Sequence, residues 1–113
     1  MKVALSVQNE NKQSMVDERF GRCPYFAIAE TETGEITFVT NEAANDNGAG
    51  VKAARILLKQ KVEAVIVGNI GPKAFEVLNR AGLTIYGGLT GSIQESLELL
   101  KQGKLSQLTT PNN

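Results

Sequence analysis

The single cysteine of this 113-residue sequence, Cys23, is its clearest candidate for metal chemistry. A thiolate can bind a soft metal, and Arg22 beside it would lower the pKa of the thiol. The sequence has no histidine, which excludes a nucleophile–imidazole pair and any histidine metal ligand. One cysteine can form neither an intrachain disulfide nor a complete four-thiolate site. We therefore predict that Cys23 supplies one metal ligand, the alternative being a small, buried and inert thiol.

Basic side chains and glycines recur in the polar segments, and both suit a bound anion. Glycine allows a ligand to approach the backbone closely, and positive charges offset the charge of the ligand. Three predicted helices also begin in these segments, where free N–H groups and the helix dipole favour anions. The alternative is that glycine and asparagine here only form tight turns. The candidate binding residues are Arg19, Arg22, Cys23, Gly48, Gly50, Gly71, Lys73 and Ser92.

The spacing of apolar residues predicts the elements that position these candidates. Strand-like runs occupy approximately residues 2–7, 25–31, 35–40, 64–67 and 83–86. Helical spacing is found near 51–61, 72–81 and 92–102. The order β-β-β-α-β-α-β-α, with a hairpin turn at 32–35, predicts an α/β fold with a five-stranded mixed sheet and an antiparallel second strand. We predict one domain over residues 1–105 and a loose tail over 106–113.

This topology predicts where a binding site lies. The loops after the first, third, fourth and fifth strands leave from one edge of the sheet, and the antiparallel second strand begins there. Ligands in open α/β sheets bind beyond the carboxyl ends of the strands. We therefore expect an anion site at this edge. The segments that converge there are 9–24, 41–50, 68–73 and 87–92.

Composition and missing motifs exclude several other classes of function. The 12 basic and 12 acidic residues give zero net charge, which argues against a broad nucleic-acid or anionic-membrane footprint. No apolar run approaches the ~20 residues of a membrane span, and no leader is recognisable, so we expect a cytoplasmic protein. The glycine-rich segment 68–73 does not match a P-loop, and no dinucleotide fingerprint follows the first strand.

Four separated motifs occur in the same order as the predicted elements. They are Val16-Asp17-Glu18-Arg19-Phe20-Gly21-Arg22 with Phe26, Gly48-Ala49-Gly50, Val67-Gly68-Asn69-Ile70-Gly71-Pro72-Lys73-Ala74, and Gly91-Ser92-Ile93-Gln94-Glu95. Together they resemble the dinitrogenase iron–molybdenum cofactor biosynthesis family, of the NifX and NifB C-terminal type. The resemblance runs from Met1 to about Leu105.

This resemblance implies a ribonuclease-H-like α/β fold without nuclease activity, with sheet order 3-2-1-4-5. It also implies a nitrogen-fixation-related role as a non-catalytic carrier of a metal–sulfur cluster or its precursor. The cluster would be iron–sulfur or molybdenum-containing and labile, held at the site by Cys23 and the basic residues. The implied partners are cluster donor and acceptor proteins, and we expect a monomer or a weak homodimer.

Alternatives remain at this point, both for the function and for single residues. The same backbone groups would serve a small regulatory module that binds phosphate, a nucleotide or another oxyanion. An enzyme is disfavoured because no nucleophile–base pair is recognisable. Arg22 could pair with Asp17 or Asp46 instead of a ligand, and Asp17 could buttress its own loop.

Overall fold

The computed structural model describes Met1–Asn113 and contains five strands and three helices in the predicted order. The strands are β1 (Lys2–Val7), β2 (Tyr25–Glu30), β3 (Ile36–Thr40), β4 (Ala64–Ile66) and β5 (Thr84–Tyr86). The helices are α1 (Ala49–Lys59), α2 (Pro72–Arg80) and α3 (Ile93–Lys101). None of these helices is long and apolar enough to cross a bilayer.

The five strands form one mixed sheet in the order β3-β2-β1-β4-β5, which confirms the predicted arrangement. β1, β4 and β5 are parallel, and Val3 lies opposite Ala64 in the β1–β4 pair. β2 is antiparallel to both of its neighbours, with Leu5 of β1 opposite Ala27. The central position of β1 explains why five of its six residues are buried.

Helices cover the two faces of the sheet unequally. Because side chains alternate along a strand, Ala4 points to one face and Val3 and Leu5 to the other. α1 and α2 pack on the Ala4 side, where Phe26 of β2 is fully buried in the shared core cluster. α3 packs on the opposite side through Ile93. Consequently α1 and α2 begin on the same face of the sheet, whereas α3 begins on the other.

The last residues correct one prediction, because segment 106–113 is not loose. The Leu108 N–H donates to the carbonyl of Ile85 in β5 over 2.7 Å, and Tyr86 forms an isolated bridge with Gln107. The Leu108 side chain packs against the core on the α1–α2 face. These contacts are mostly made by the backbone, so they leave no periodic pattern in the sequence.

Candidate functional site

A cleft of about 510 Å³ lies at the edge of the sheet where α1 and α2 begin. Parts of three predicted segments line it, namely those after β1, before α1 and before α2. No aspartate or glutamate lines the cleft, whereas three basic residues do. Six of the predicted binding residues contribute to it: Arg19, Arg22, Gly48, Gly50, Gly71 and Lys73.

Both helices that begin at the cleft have an uncapped N-terminus. The residue before α1 is Gly48 and the residue before α2 is Gly71, and neither offers a side chain to accept a hydrogen bond. Neither helix has an acidic residue in its first turn. Pro72 has no N–H, so the free donors of α2 begin at Lys73. The two helix dipoles and these donors therefore favour an anion in the cleft.

The segment after β1 packs closely onto the loop that precedes α2. A Cβ atom on Gly68 would lie 2.4 Å from the Cα of Glu18, so only glycine fits there. The Asn69 N–H donates to the Glu18 carbonyl over 2.7 Å, and the Phe20 N–H donates to the Asn69 carbonyl over 3.1 Å. These contacts fix Arg19 and Arg22 relative to the start of α2.

The three basic side chains differ in how far their charges are compensated. Asp17 is buried, and its carboxylate accepts hydrogen bonds from the backbone N–H, Nε and Nη2 of Arg19. These contacts raise the pKa of the Arg19 guanidinium further, and they give Asp17 the buttressing role. Arg22 donates to the carbonyl of Ala44 over 2.9 Å. Neither Arg22 nor Lys73 forms an ion pair with a carboxylate. Two exposed positive charges therefore remain available to a ligand.

Asn41, which the sequence reading did not single out, ties together two of the cleft segments. Its Nδ2 donates to the carbonyls of Gly21 over 3.0 Å and Cys23 over 2.8 Å. Its Oδ1 accepts from the Ala43 N–H two residues on. The bond to Ala43 is an ordinary Asx-type contact. An asparagine directly after a predicted strand was therefore the sequence signal that could have identified Asn41 as a residue that organises its loop.

Cys23 does not line the cleft, which corrects the expectation of an accessible thiolate. The residue is fully buried in the core cluster on the α1–α2 face, and its thiol donates to the Phe20 carbonyl over 3.2 Å. Burial, reinforced by the nearby charge of Asp17, raises the pKa of Cys23 to about 12. The expected lowering of this pKa by Arg22 is absent, and the Arg22 guanidinium donates to the carbonyl of Ala44. The thiol is therefore protonated at neutral pH and has the inert character of the alternative reading.

Ser92 is also outside the cleft, on the face of the sheet that α3 covers. Its Oγ accepts from the Glu95 N–H over 3.1 Å, and the Glu95 carboxylate accepts from the Ser92 N–H over 3.3 Å. This capping box satisfies the N-terminus of α3 from within the helix. The segment 87–92 still meets the first loop, since the Val16 N–H donates to the Gly91 carbonyl.

A second cleft, of about 560 Å³, lies on the α3 face and differs in chemistry. Glu30, Glu98 and Lys101 line it together with Leu97 and Leu100, so its side-chain charges are mixed where those of the first cleft are all positive. No group of three or more cysteine, aspartate or glutamate side chains in the structure could hold a metal ion.

The fold and the cleft define a small α/β protein of ribonuclease-H-like topology with an anion-suited cleft at the carboxyl ends of its parallel strands. The chain belongs to the dinitrogenase iron–molybdenum cofactor family, whose profile matches residues 1–103. This match confirms the resemblance that the four sequence motifs indicated.

Three relatives illustrate the likeness. The apo form of the orange protein from Desulfovibrio gigas superposes with a TM-score of 0.95 at 27% identity, covering 99% of this chain and 96% of that one. A candidate NifB protein from Thermotoga has a TM-score of 0.86 at 37% identity, covering 99% and 97%. The uncharacterised protein MJ0580 of Methanocaldococcus jannaschii is 39% identical over 111 residues, which are 95% of this chain and 91% of the relative. The likeness to each of these three proteins extends over nearly the whole of this chain.

Proposed function

We propose that this protein is a non-catalytic carrier that binds a metal–sulfur cluster, or an anionic precursor of one, in the cleft where α1 and α2 begin. One observation supports this most strongly. Two helix N-termini without side-chain caps meet two basic residues without carboxylate partners, in a cleft with no acidic side chain. Metal–sulfur clusters that carry negative charge complement such a surface.

The cargo would be held without a bond from protein to metal. Burial of Cys23 and the raised pKa of its thiol support a site in which this residue is not a ligand. Backbone N–H groups, Arg22 and Lys73 would instead bind the sulfur or oxygen atoms at the surface of the cluster. Binding of this kind is reversible and depends on ionic strength. It suits a protein that receives an iron–sulfur or molybdenum-containing cluster from one protein and passes it to another.

The comparisons support a ligand of this class. The family is described by the iron–molybdenum cofactor of dinitrogenase, and it covers residues 1–103 with the whole cleft except Asn113. The Desulfovibrio gigas relative is called the orange protein, and its solved form is called apo. A protein with an apo form has a ligand, and metal–sulfur clusters absorb visible light.

A second candidate function is a regulatory module that binds phosphate or another oxyanion. The absence of any accessible thiolate favours this alternative, since the cleft contains only hydrogen-bond donors and positive charge. Such donors do not by themselves select sulfur over oxygen. The distinction therefore has to be made with ligands of matched shape and charge.

Tetrathiomolybdate and molybdate provide this matched pair, because both are tetrahedral dianions around molybdenum. If the protein is a carrier of metal–sulfur species, tetrathiomolybdate should bind to the anaerobic protein about tenfold or more tightly than molybdate or inorganic phosphate. Visible absorption and calorimetry measure these affinities. The opposite preference would identify the oxyanion module. Binding of none of these ions, together with no iron, molybdenum or sulfide in protein purified without oxygen, would contradict both functions.

A further inference from the structure

The C-terminal segment 106–113, here called the strap, runs along the free edge of β5. The Gly87 N–H donates to the Ser106 carbonyl, and the Leu108 N–H donates to the Ile85 carbonyl. A Cβ atom on Gly87 would lie 2.4 Å from Cδ1 of Leu108, so this leucine fits against a backbone that has no side chain. The strap is therefore seated by both hydrogen bonds and apolar packing.

Beyond Leu108 the strap reaches the loop that leads into α2. The Oδ1 atom of Asn112 accepts from the Ile70 N–H over 2.8 Å, and its Nδ2 donates to the Gly68 carbonyl over 3.0 Å. Ile70 itself is only 1% exposed, so its N–H has little access to water as a substitute partner. Asn112 thus bonds both to the Ile70 N–H and to the Gly68 carbonyl two residues earlier, and that carbonyl also accepts from the Gly88 N–H over 2.8 Å.

This loop is held from two sides and ends at the cleft. On one side it bonds to the first segment through Asn69, which contacts Glu18 and Phe20. On the other side Asn112 holds it, and the next residue, Asn113, lines the cleft. The residues that follow the loop are Gly71, Pro72 and Lys73, which present the N-terminus of α2 to the cleft. The direction of the free N–H groups of α2 therefore depends on the contacts of both Asn69 and Asn112.

We infer that Asn112 is a positioning residue for the cleft, and that the strap sets its anion affinity by fixing the turn that begins α2. Asn112 acts through the loop and need not touch the ligand. This inference rests on the proposed function, because it assigns to the strap a role in the binding of the same anionic cargo. It also makes a residue outside the family match, which ends at residue 103, a determinant of binding.

The test compares Asn112→Ala with Thr110→Ala, which alters an exposed strap side chain that makes no hydrogen bond. In ligand-free protein, we expect amide hydrogen exchange of Ile70 to become about tenfold faster in Asn112→Ala only. In the same variant, the affinity for tetrathiomolybdate should fall about tenfold, with an unchanged dependence on salt because no charge is removed. The thermal midpoint of ligand-free protein should stay within a few degrees of wild type.

The outcomes separate this inference from the proposed function. If wild type binds tetrathiomolybdate and Asn112→Ala binds it equally well, the positioning role is overturned and the proposed function stands. Unchanged exchange of Ile70 would likewise overturn the contact on which the role depends. If wild type binds neither tetrathiomolybdate nor molybdate, and contains no iron, molybdenum or sulfide when purified without oxygen, the proposed function fails and the role of the strap in affinity fails with it.

Discussion

Gly21 and Gly50 touch through their backbones, and a Cβ atom on Gly21 would lie 2.6 Å from the Gly50 nitrogen. The loop after β1 therefore rests directly on the first turn of α1. Because Arg22 follows Gly21, this contact determines the position of the Arg22 backbone, and hence of its side chain, relative to the N-terminus of α1. Gly50, which was predicted to make room for a ligand, thus also makes room for Gly21.

Replacing Gly21 with alanine is expected to separate the first loop from α1. The added methyl meets backbone atoms, which cannot rotate away, so Gly21→Ala should reduce the free energy of unfolding by about 1–3 kcal/mol. Gly71→Ala is the matched control, because its φ is −81° and its Cβ would meet no atom within 4 Å. Urea unfolding measures both, and an equal loss of stability in the two variants would contradict the close approach.

Removing a positive charge from the cleft is expected to weaken anion binding. Arg22→Gln and Lys73→Gln should each reduce the affinity for tetrathiomolybdate about fivefold to tenfold, which is less than a buried charge-assisted hydrogen bond contributes because water and salt screen both side chains. The effect should shrink as salt is added, because both side chains are exposed. Lys104→Gln removes the same charge from an exposed position outside the cleft. A comparable loss in that control would mean that only net charge matters.

Ser92 is expected to matter for stability and not for the ligand. Ser92→Ala removes the oxygen that accepts from the Glu95 N–H, so the free energy of unfolding should fall by about 1 kcal/mol. Ser92→Asp retains a capping oxygen and should recover most of that loss. Titrations with tetrathiomolybdate should give the same affinity in wild type and Ser92→Ala. Weaker binding in Ser92→Ala would show that the N-terminus of α3 contributes to the binding site.

Cys23 is expected to behave as a core thiol. Iodoacetamide should alkylate the folded protein slowly at neutral pH, and fast only when denaturant exposes the thiol, because burial both shields the sulfur and raises its pKa to about 12. Cys23→Ala should retain the same amount of iron or molybdenum per chain as wild type when both are loaded with the same cluster. Loss of metal in this variant, with the fold intact by circular dichroism, would restore the thiol as a ligand.

The same thiol is expected to make stability depend on alkaline pH. In the unfolded chain Cys23 ionises near its ordinary pKa of 9.0, whereas in the folded state its pKa is about 12. Between these values the unfolded state binds fewer protons, so the free energy of unfolding falls as pH rises through about 9. Stability measured from pH 7 to pH 10 should fall less steeply in Cys23→Ala. Parallel curves for the two proteins would show that the thiol is not buried.

The sequence indicated several of the glycines and basic residues that the structure brings together at the cleft. Gly48 and Gly71 precede α1 and α2, and Arg19, Arg22 and Lys73 line the same cleft. These features follow from chain order, because the loops after parallel strands must meet at one edge. The side-chain partners of these residues could not be predicted from chain order. Whether Arg19 or Arg22 pairs with Asp17 depends on side-chain directions within a loop that has no periodic pattern.

By itself the sequence determined the order of the elements, the antiparallel β2 and the edge at which helices begin with glycine, because periodicity and connectivity are local properties of the chain. Only the tertiary structure decided the environments of Cys23, Ser92 and Asn112. Cys23 is buried because distant segments cover it, Ser92 is separated from the cleft because α3 packs on the other face, and Asn112 meets Gly68 and Ile70 across 44 and 42 residues. Burial and pairing of this kind depend on which segments meet in space, and no pattern within one segment encodes that.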